Sequence, residues 1–255
     1  MVNDLKDKVV LITGSSTGIG AAAALAFGRL GARVAVHCHN SRAAAEEVVA
    51  QLTASGAQAC LLQADVRDSA QCRQLVADTV KAFGRIDVLI NNAGALVQRA
   101  PLESITDALF DEVVHLNVRS AMMCSAAAVE AMRSQGDGGN IINVTSVAAR
   151  HGGGAGASLY AGSKGFVSTM TRGLAKELAK DNIRVNAVAP GVITTPFHDR
   201  FSTPAMLEAF KSTIPMNRLG APEECAGAFV FLASGQMSGY VTGQILEVNG
   251  GQYMP

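Results

Sequence analysis

The chain has 255 residues, 49% of them apolar and 16% charged, a globular composition that excludes a disordered chain and can bury one substantial core. Its 21 Lys+Arg balance 21 Asp+Glu, so net charge gives no argument for nucleic acid or a membrane surface as a partner. Five cysteines, Cys38, Cys60, Cys72, Cys124 and Cys225, stand singly without CxxC or metal-like spacing, which predicts free thiols, no metal site and a reducing, cytoplasmic compartment.

The N-terminal "MVNDLKDKVVLITG" meets charge before any apolar run and does not read as a secretory signal; "AMMCSAAAV" (121–129) is too short to span a bilayer. From there strand-like and helix-like segments alternate. "KVVLI" (8–12) is a buried strand, 18–31 a helix closed by Gly31, and "RVAVH" (33–37) a strand. Residues 41–56 form a helix with Ser41 as its cap. "ACLLQADV" (59–66), a helix over 68–84 and "IDVLINNAG" (86–94) continue the pattern. One long helical region, about 104–134, precedes the strand "NIINVTS" (140–146), and a helix over about 159–180 precedes "IRVNAVAPG" (183–191). After an irregular stretch come a helix over 222–234 and a last strand in "GQILEVNGG" (243–251). Seven apolar strands separated by helices predict a single α/β domain spanning 1–255: a doubly wound parallel seven-stranded sheet with helices on both faces.

"ITGSSTGIGAAAA" (12–24) leaves the first strand and opens the first helix. Gly18, Gly20 and Ala23 match G-x-G-x-x-A, whose glycines let backbone N–H groups approach a diphosphate at a helix N-terminus. Gly14, Ser16 and Gly18 also match the G-x-S-x-G of hydrolases, but that elbow follows several strands, and here only one precedes it. No lysine follows the glycines, which excludes a P-loop. The end of the second strand, "VHCHNSR" (36–42), carries no carboxylate to hold a ribose 2′-hydroxyl. With His39 and Arg42 nearby it leans toward NADP, NAD remaining possible through Ser16, Asn40 and Ser41.

"SLYAGSKG" (158–165) places Tyr160 and Lys164 on one helical face, a turn apart, where positive charge favours a phenolate. On its own the pair also fits a packed aromatic beside a surface lysine. Together with "TGSSTGIG" (13–20), "ADV" (64–66), "NNAG" (91–94), "LNV" (116–118), "VTS" (144–146), "APGVITTP" (189–196) and "SGYVTGQILEVNGG" (238–251), the chain resembles the classical short-chain dehydrogenase/reductase family over nearly its whole length. That resemblance implies a Rossmann fold and hydride transfer between NADP(H) or NAD(H) and a carbonyl or secondary alcohol, such as a 3-oxoacyl compound, a sugar or polyol, or another ketone.

It also implies roles. Tyr160 is the proton donor or acceptor, Lys164 lowers its pKa and binds the nicotinamide ribose, Ser146 holds the substrate carbonyl, and Asn117 holds a water linking Lys164 to solvent. Gly14, Ser16, Gly18, Ile19 and Gly20 meet the diphosphate side of the dinucleotide, and His39 its ribose corner. Asp65 and Val66 bind adenine, Asn92 and Gly94 back the adenosine ribose, and Pro190, Ile193 and Thr195 approach the nicotinamide. Asn91 ties neighbouring strands, and 196–218 is a mobile lid in which His198, Arg200 or Phe201 touches substrate. Nothing in these segments singles out a charged substrate anchor. Isolated His115 and His151 read as packing or surface groups. Small residues around 120–129 and 157–174, with the resemblance, imply a homotetramer. The competing reading from another class is a dinucleotide-binding sensor or scaffold without turnover.

Overall fold

A computed structural model describes residues 3–255. The strands are β1 (Val9–Ile12), β2 (Arg33–Cys38), β3 (Ala59–Gln63), β4 (Val88–Asn91), β5 (Gly139–Val144), β6 (Ile183–Pro190) and β7 (Ile245–Val248). They form one parallel sheet in the order β3-β2-β1-β4-β5-β6-β7. The expected doubly wound α/β architecture is therefore present. The chain runs outward from β1 to β3, then returns to β4 on the other side of β1. That reversal opens a crevice at the carboxyl ends of β1 and β4, where this topology binds ligands.

The strands are near-continuous apolar runs because both faces are covered. On one face α1 (Gly18–Arg29), α2 (Arg42–Ala54) and α10 (Pro222–Ala233) enclose Val10, Ile12, Phe27, Val34, Val36, Leu52 and Phe229. On the other, α3 (Ser69–Phe83), α5 (Ser120–Gln135) and α7 (Ser158–Leu178) enclose Leu11, Leu75, Leu89, Met132, Ile141 and Val185. Helix α3 begins where the Asp68 carboxylate accepts from Ala70 N (2.7 Å) and ends at left-handed Gly84.

Two local expectations are corrected and one is refined. Ser41 precedes α2, but its hydroxyl makes no capping bond; its ψ of 56° departs from the extended geometry that a cap uses. The helical region expected over 104–134 is present and runs without a break over 107–135, with a π turn inside it. After a 3₁₀ turn (Leu102–Ser104) it comprises α4 (Asp107–Val114), the π turn (His115–Arg119) and α5. Thr106 starts α4 by accepting from Leu109 N, and the wider π turn rotates Asn117 inward. The stretch after β6 is not irregular: α8 (Pro196–Phe201) and α9 (Pro204–Ser212) each begin with Thr-Pro, and Thr203 Oγ1 accepts from Met206 N. Short helices α6 (Ala148–His151) and α11 (Gly235–Ser238) complete the set. Among the described residues no helix is long and apolar enough to cross a membrane.

Candidate active site

The crevice is a cleft of about 700 Å³ that runs from the β1–α1 loop across the ends of β4, β5 and β6 to α8 and α9. Gly14, Ser16, Gly18, Ile19 and Gly20 line its first part, as the glycine pattern predicts. A Cβ on Gly20 would lie 2.5 Å from Gly14 O and 2.6 Å from Asn92 Nδ2, so only glycine permits this turn to close.

Two side chains hold the loop. Asn92 donates through Nδ2 to Thr13 O and Gly14 O, both at 2.9 Å. Fully buried His37 accepts from Gly14 N–H through Nδ1 (2.9 Å). Its Nε2, 3.1 Å from Ala64 O, therefore carries the proton and donates there. Burial pushes His37 down to about 4, so the imidazole is neutral and the tautomer is fixed by its two partners. Sequence reasoning missed His37, because its role depends on the register of β1 against β2.

At the ribose corner His39, Asp65 and Val66 line the cleft. The Asp65 carboxylate is gripped by Arg67 through Nε (2.9 Å) and Nη2 (2.8 Å), with His39 Nε2 at 3.8 Å. Those bonds hold Asp65 below the usual carboxylate range. Arg42 points away onto Glu46 (2.9 Å) and Gln63 (3.3 Å). Asn91 ties strands as expected, donating to Asn143 Oδ1, Ser125 Oγ and Ala121 O.

Ser146, Tyr160 and Lys164 meet at the end of β5. Thr145 Oγ1 donates to Lys164 O (2.9 Å) and lies 2.7 Å from Ser168 Oγ, which pins α7 against the strand. Lys164 is 4% exposed; its ammonium donates to Val144 O at 2.8 Å and lies 5.9 Å from the centre of the Tyr160 ring. Burial pulls Lys164 down to about 8. Burial also pushes the Tyr160 phenol up to about 12, opposed by its hydrogen bond with Ser146. The shift runs opposite to the lowering expected from Lys164: removal from water dominates, and the Ser146 hydrogen bond opposes it.

Asn117, buried on the π turn, accepts from Ala95 N–H and donates to Ala95 O, each at 2.9 Å, and to Ser163 Oγ at 3.1 Å. Gly94 packs against it so closely that a Cβ would lie 2.8 Å from Asn117 Oδ1 and 2.9 Å from Lys164 Nζ.

Pro190, Ile193 and Thr195 line the cleft beyond Lys164. Over them lies an aromatic cluster: Phe197 stands 5.8 Å from the Tyr160 ring and 5.1 Å from Phe201, and His198 stands 6.4 Å from Phe210. His198, Arg200 and Phe201 line the cleft, together with Phe197, Phe210, Arg99 and His151, which sequence reasoning did not assign to substrate. The paired Phe at 197 and 201 was a usable signal once α8 is recognised, being one helical turn apart.

The residues present fit a dinucleotide. Glycines stand where side chains would fill the cleft floor, a neutral loop clamp leaves a helix N-terminus free for a diphosphate, and a buried ammonium with one protein partner faces the same space. Residues 14–252 match the family profile described as enoyl-(acyl carrier protein) reductase. A 3-oxoacyl-[acyl-carrier-protein] reductase of Synechocystis sp. is 40% identical over 254 residues, covering 98% of both chains. The crystal structure of NADH-dependent reductase A1-R' complexed with NAD superposes with TM-score 0.89 at 42% identity, covering all of both chains. A short-chain type dehydrogenase/reductase from Mycobacterium marinum gives TM-score 0.92 at 35% identity over 100% of this chain and 98% of its own.

Proposed function

The chain belongs to the short-chain dehydrogenase/reductase family of NAD(P)-dependent oxidoreductases, and we propose that it reduces a ketone or aldehyde to an alcohol, or the reverse, with NADP(H) preferred over NAD(H). The observation that carries this reading is the convergence of Ser146, Tyr160 and buried Lys164 at one end of a cleft whose other end is the His37-clamped glycine loop.

When bound, the reduced dinucleotide supplies the hydride that adds to the carbonyl carbon, and it is left oxidised. Tyr160 delivers the proton to the carbonyl oxygen; with its pKa near 12 the phenol is fully protonated at neutral pH, the form needed for donation. Ser146 donates a hydrogen bond to that oxygen and stabilises the charge that develops on it. Lys164 keeps N–H donors for the ribose beyond its bond to Val144, and Asn117 fixes the wall behind it through Ala95 and Ser163. Gly14, Ser16, Gly18, Ile19 and Gly20 hold the diphosphate, Asp65, Val66 and Asn92 the adenosine half, and Pro190, Ile193 and Thr195 the nicotinamide half.

The NADP preference rests on the ribose corner. Its acids, Asp65 and Glu112, are already offset by Arg67, and Arg42 is held by an exposed i,i+4 pair with Glu46 and a hydrogen bond to Gln63, which cost little to break. We also infer a cytoplasmic homotetramer packed through α5 and α7; a monomer mass in solution would contradict it. A panel of ketones and aldehydes at saturating NADPH and NADH, followed by loss of reduced-nicotinamide absorbance, tests the activity. Turnover with NADPH favoured is expected. Tight dinucleotide binding without turnover of any substrate would instead favour a sensor.

A further inference from the structure

The substrate end of the cleft holds an arginine without a counter-ion. Arg99 follows β4 by way of a γ-turn centred on Val97, where Gln98 N–H donates to Leu96 O at 2.8 Å. Val97 has φ +67°, a costly backbone conformation for a β-branched residue, and it lines the cleft. The turn delivers Arg99 between two walls of the site. Its Nε donates to Phe201 O at the end of α8 (2.9 Å), and its Nη1 to Ala155 O (3.0 Å) in the glycine-rich loop after α6. Ala100 N–H fixes the same loop through Gly156 O.

Both partners are neutral carbonyls, and among the described residues no carboxylate pairs with Arg99. Burial alone weighs on its charge and draws its pKa below the usual arginine value. A half-buried cation kept from water without an opposite charge is unfavourable. The surroundings add to the imbalance. The acids that line the cleft, Asp65 and Glu112, are both at the ribose corner and both bonded to Arg67. The substrate end instead carries Arg99 and Arg200, with Lys164 at its border, and burial disfavours the charged form of His198 there. The remaining N–H groups of Arg99 make a fork that fits a carboxylate.

We propose that the substrate is an oxo-acid, bound with its carboxylate on Arg99 while its carbonyl meets Ser146 and Tyr160. The proposal rests on the oxidoreductase reading and names the substrate class of that site. Phe197 neighbours both the Tyr160 ring and Phe201, whose backbone carbonyl Arg99 holds, so acids that differ in the spacing of carbonyl and carboxylate probe the span between the two groups. The carboxylate is an anchor and is chemically unchanged by the reaction.

The test compares 4-oxopentanoate, 5-oxohexanoate and 6-oxoheptanoate, each with its methyl ester, as substrates with NADPH. In parallel, calorimetry measures binding of the same compounds to the enzyme saturated with NADP⁺. Wild type is expected to favour at least one acid over its ester. Arg99→Gln keeps an amide donor at about the position of Nε, within reach of Phe201 O, without the charge. It should reduce the acid-over-ester ratio roughly 10- to 100-fold, mainly through KM, and Arg99→Lys should restore part of it. A purely structural latch would weaken acid and ester alike, leaving the ratio unchanged, and that result overturns the proposal. So does wild type that binds every ester as well as its acid. Turnover of esters without preference for acids removes the substrate class but keeps the oxidoreductase. If neither these compounds nor the ketone and aldehyde panel turn over, the activity reading fails, and the calorimetric ratio still decides the anchor.

Discussion

The ammonium of Lys164 donates to the carbonyl oxygen of Val144 at 2.8 Å, and it has no carboxylate to offset its burial. Its pKa is about 8 in the fold against about 10.5 unfolded. Between those values the unfolded chain holds more protons, so this group's contribution to stability rises with pH from about 8 to 10.5; below 8 the full cost of burying the charge applies. Lys164→Met removes that cost, up to about 3 kcal/mol, less roughly 1 kcal/mol for the lost hydrogen bond. At pH 7 the variant is expected to melt a few degrees higher than wild type while losing 100-fold or more of its turnover. Paired melting and rate measurements check this; a variant that melts lower would show that the lysine is well paid for in the fold.

Tyr160 sets the direction in which pH acts. With the phenol near 12, carbonyl reduction has its proton donor at every pH from 6 to 8, and its rate should be flat there until Lys164 loses its proton. Alcohol oxidation needs the phenolate, whose fraction rises about tenfold per pH unit below the pKa. The two directions are therefore expected to have opposite pH profiles above 8. Tyr160→Phe should lower both by about 10²- to 10⁴-fold with dinucleotide affinity retained. Profiles of kcat/KM in both directions over pH 6–10 decide it; an oxidation rate that is level from 7 to 9 contradicts a phenol this high.

Gly20→Ala should separate the loop from the rest of the fold. Its new Cβ would press on Gly14 O, Asn92 Nδ2 and the Ser15 Cα, atoms of the backbone and of the residue that holds it. A cost of about 1–3 kcal/mol and a tenfold or larger loss of dinucleotide affinity are expected. Gly227→Ala, on the exposed side of α10 with nothing within 4 Å, should do the reverse and stabilise by about 0.5–1 kcal/mol. Denaturant unfolding and fluorescence titration with NADPH read both variants. Equal affinity in Gly20→Ala and wild type would mean that the loop does not hold the diphosphate.

Whatever depends on a few neighbouring residues could be read in the sequence. The glycine turn, the Tyr160–Lys164 spacing and the alternation of apolar strands with helices are local, and their order along the chain fixes the sheet. Thr195-Pro196 and Thr203-Pro204 were equally local start signals for α8 and α9, hidden by a segment short of apolar periodicity. The Arg99 bond to Phe201 O joins residues 102 apart, and the His37 bond to Gly14 exists only once β2 lies beside β1. The direction of the Tyr160 shift is hidden for a related reason: the sequence displays the lysine nearby but not the burial that raises the phenol.

His37 makes the fold acid-sensitive at its dinucleotide end. Its pKa is about 4 in the fold and about 6.5 unfolded, because burial disfavours the charged imidazole; protonating Nδ1 would also end its acceptance from the Gly14 N–H. Between 4 and 6.5 the unfolded state binds the extra proton, so stability from this group is complete above 6.5 and is lost as pH falls through that window. At pH 5 the loss is about 2 kcal/mol. Asp65 and His39 lie close enough to act on His37 and are unchanged between wild type and variant, so the comparison isolates His37. His37→Gln, which keeps an acceptor for Gly14 without a titrating group, should show a correspondingly smaller fall in unfolding free energy between pH 7 and pH 5. His37→Phe leaves the Gly14 N–H and Ala64 O without partners and should cost about 1–3 kcal/mol at both pH values, with weaker NADPH binding. If His37→Gln loses as much stability as wild type on going to pH 5, the acid sensitivity arises elsewhere and the neutral clamp is not its source.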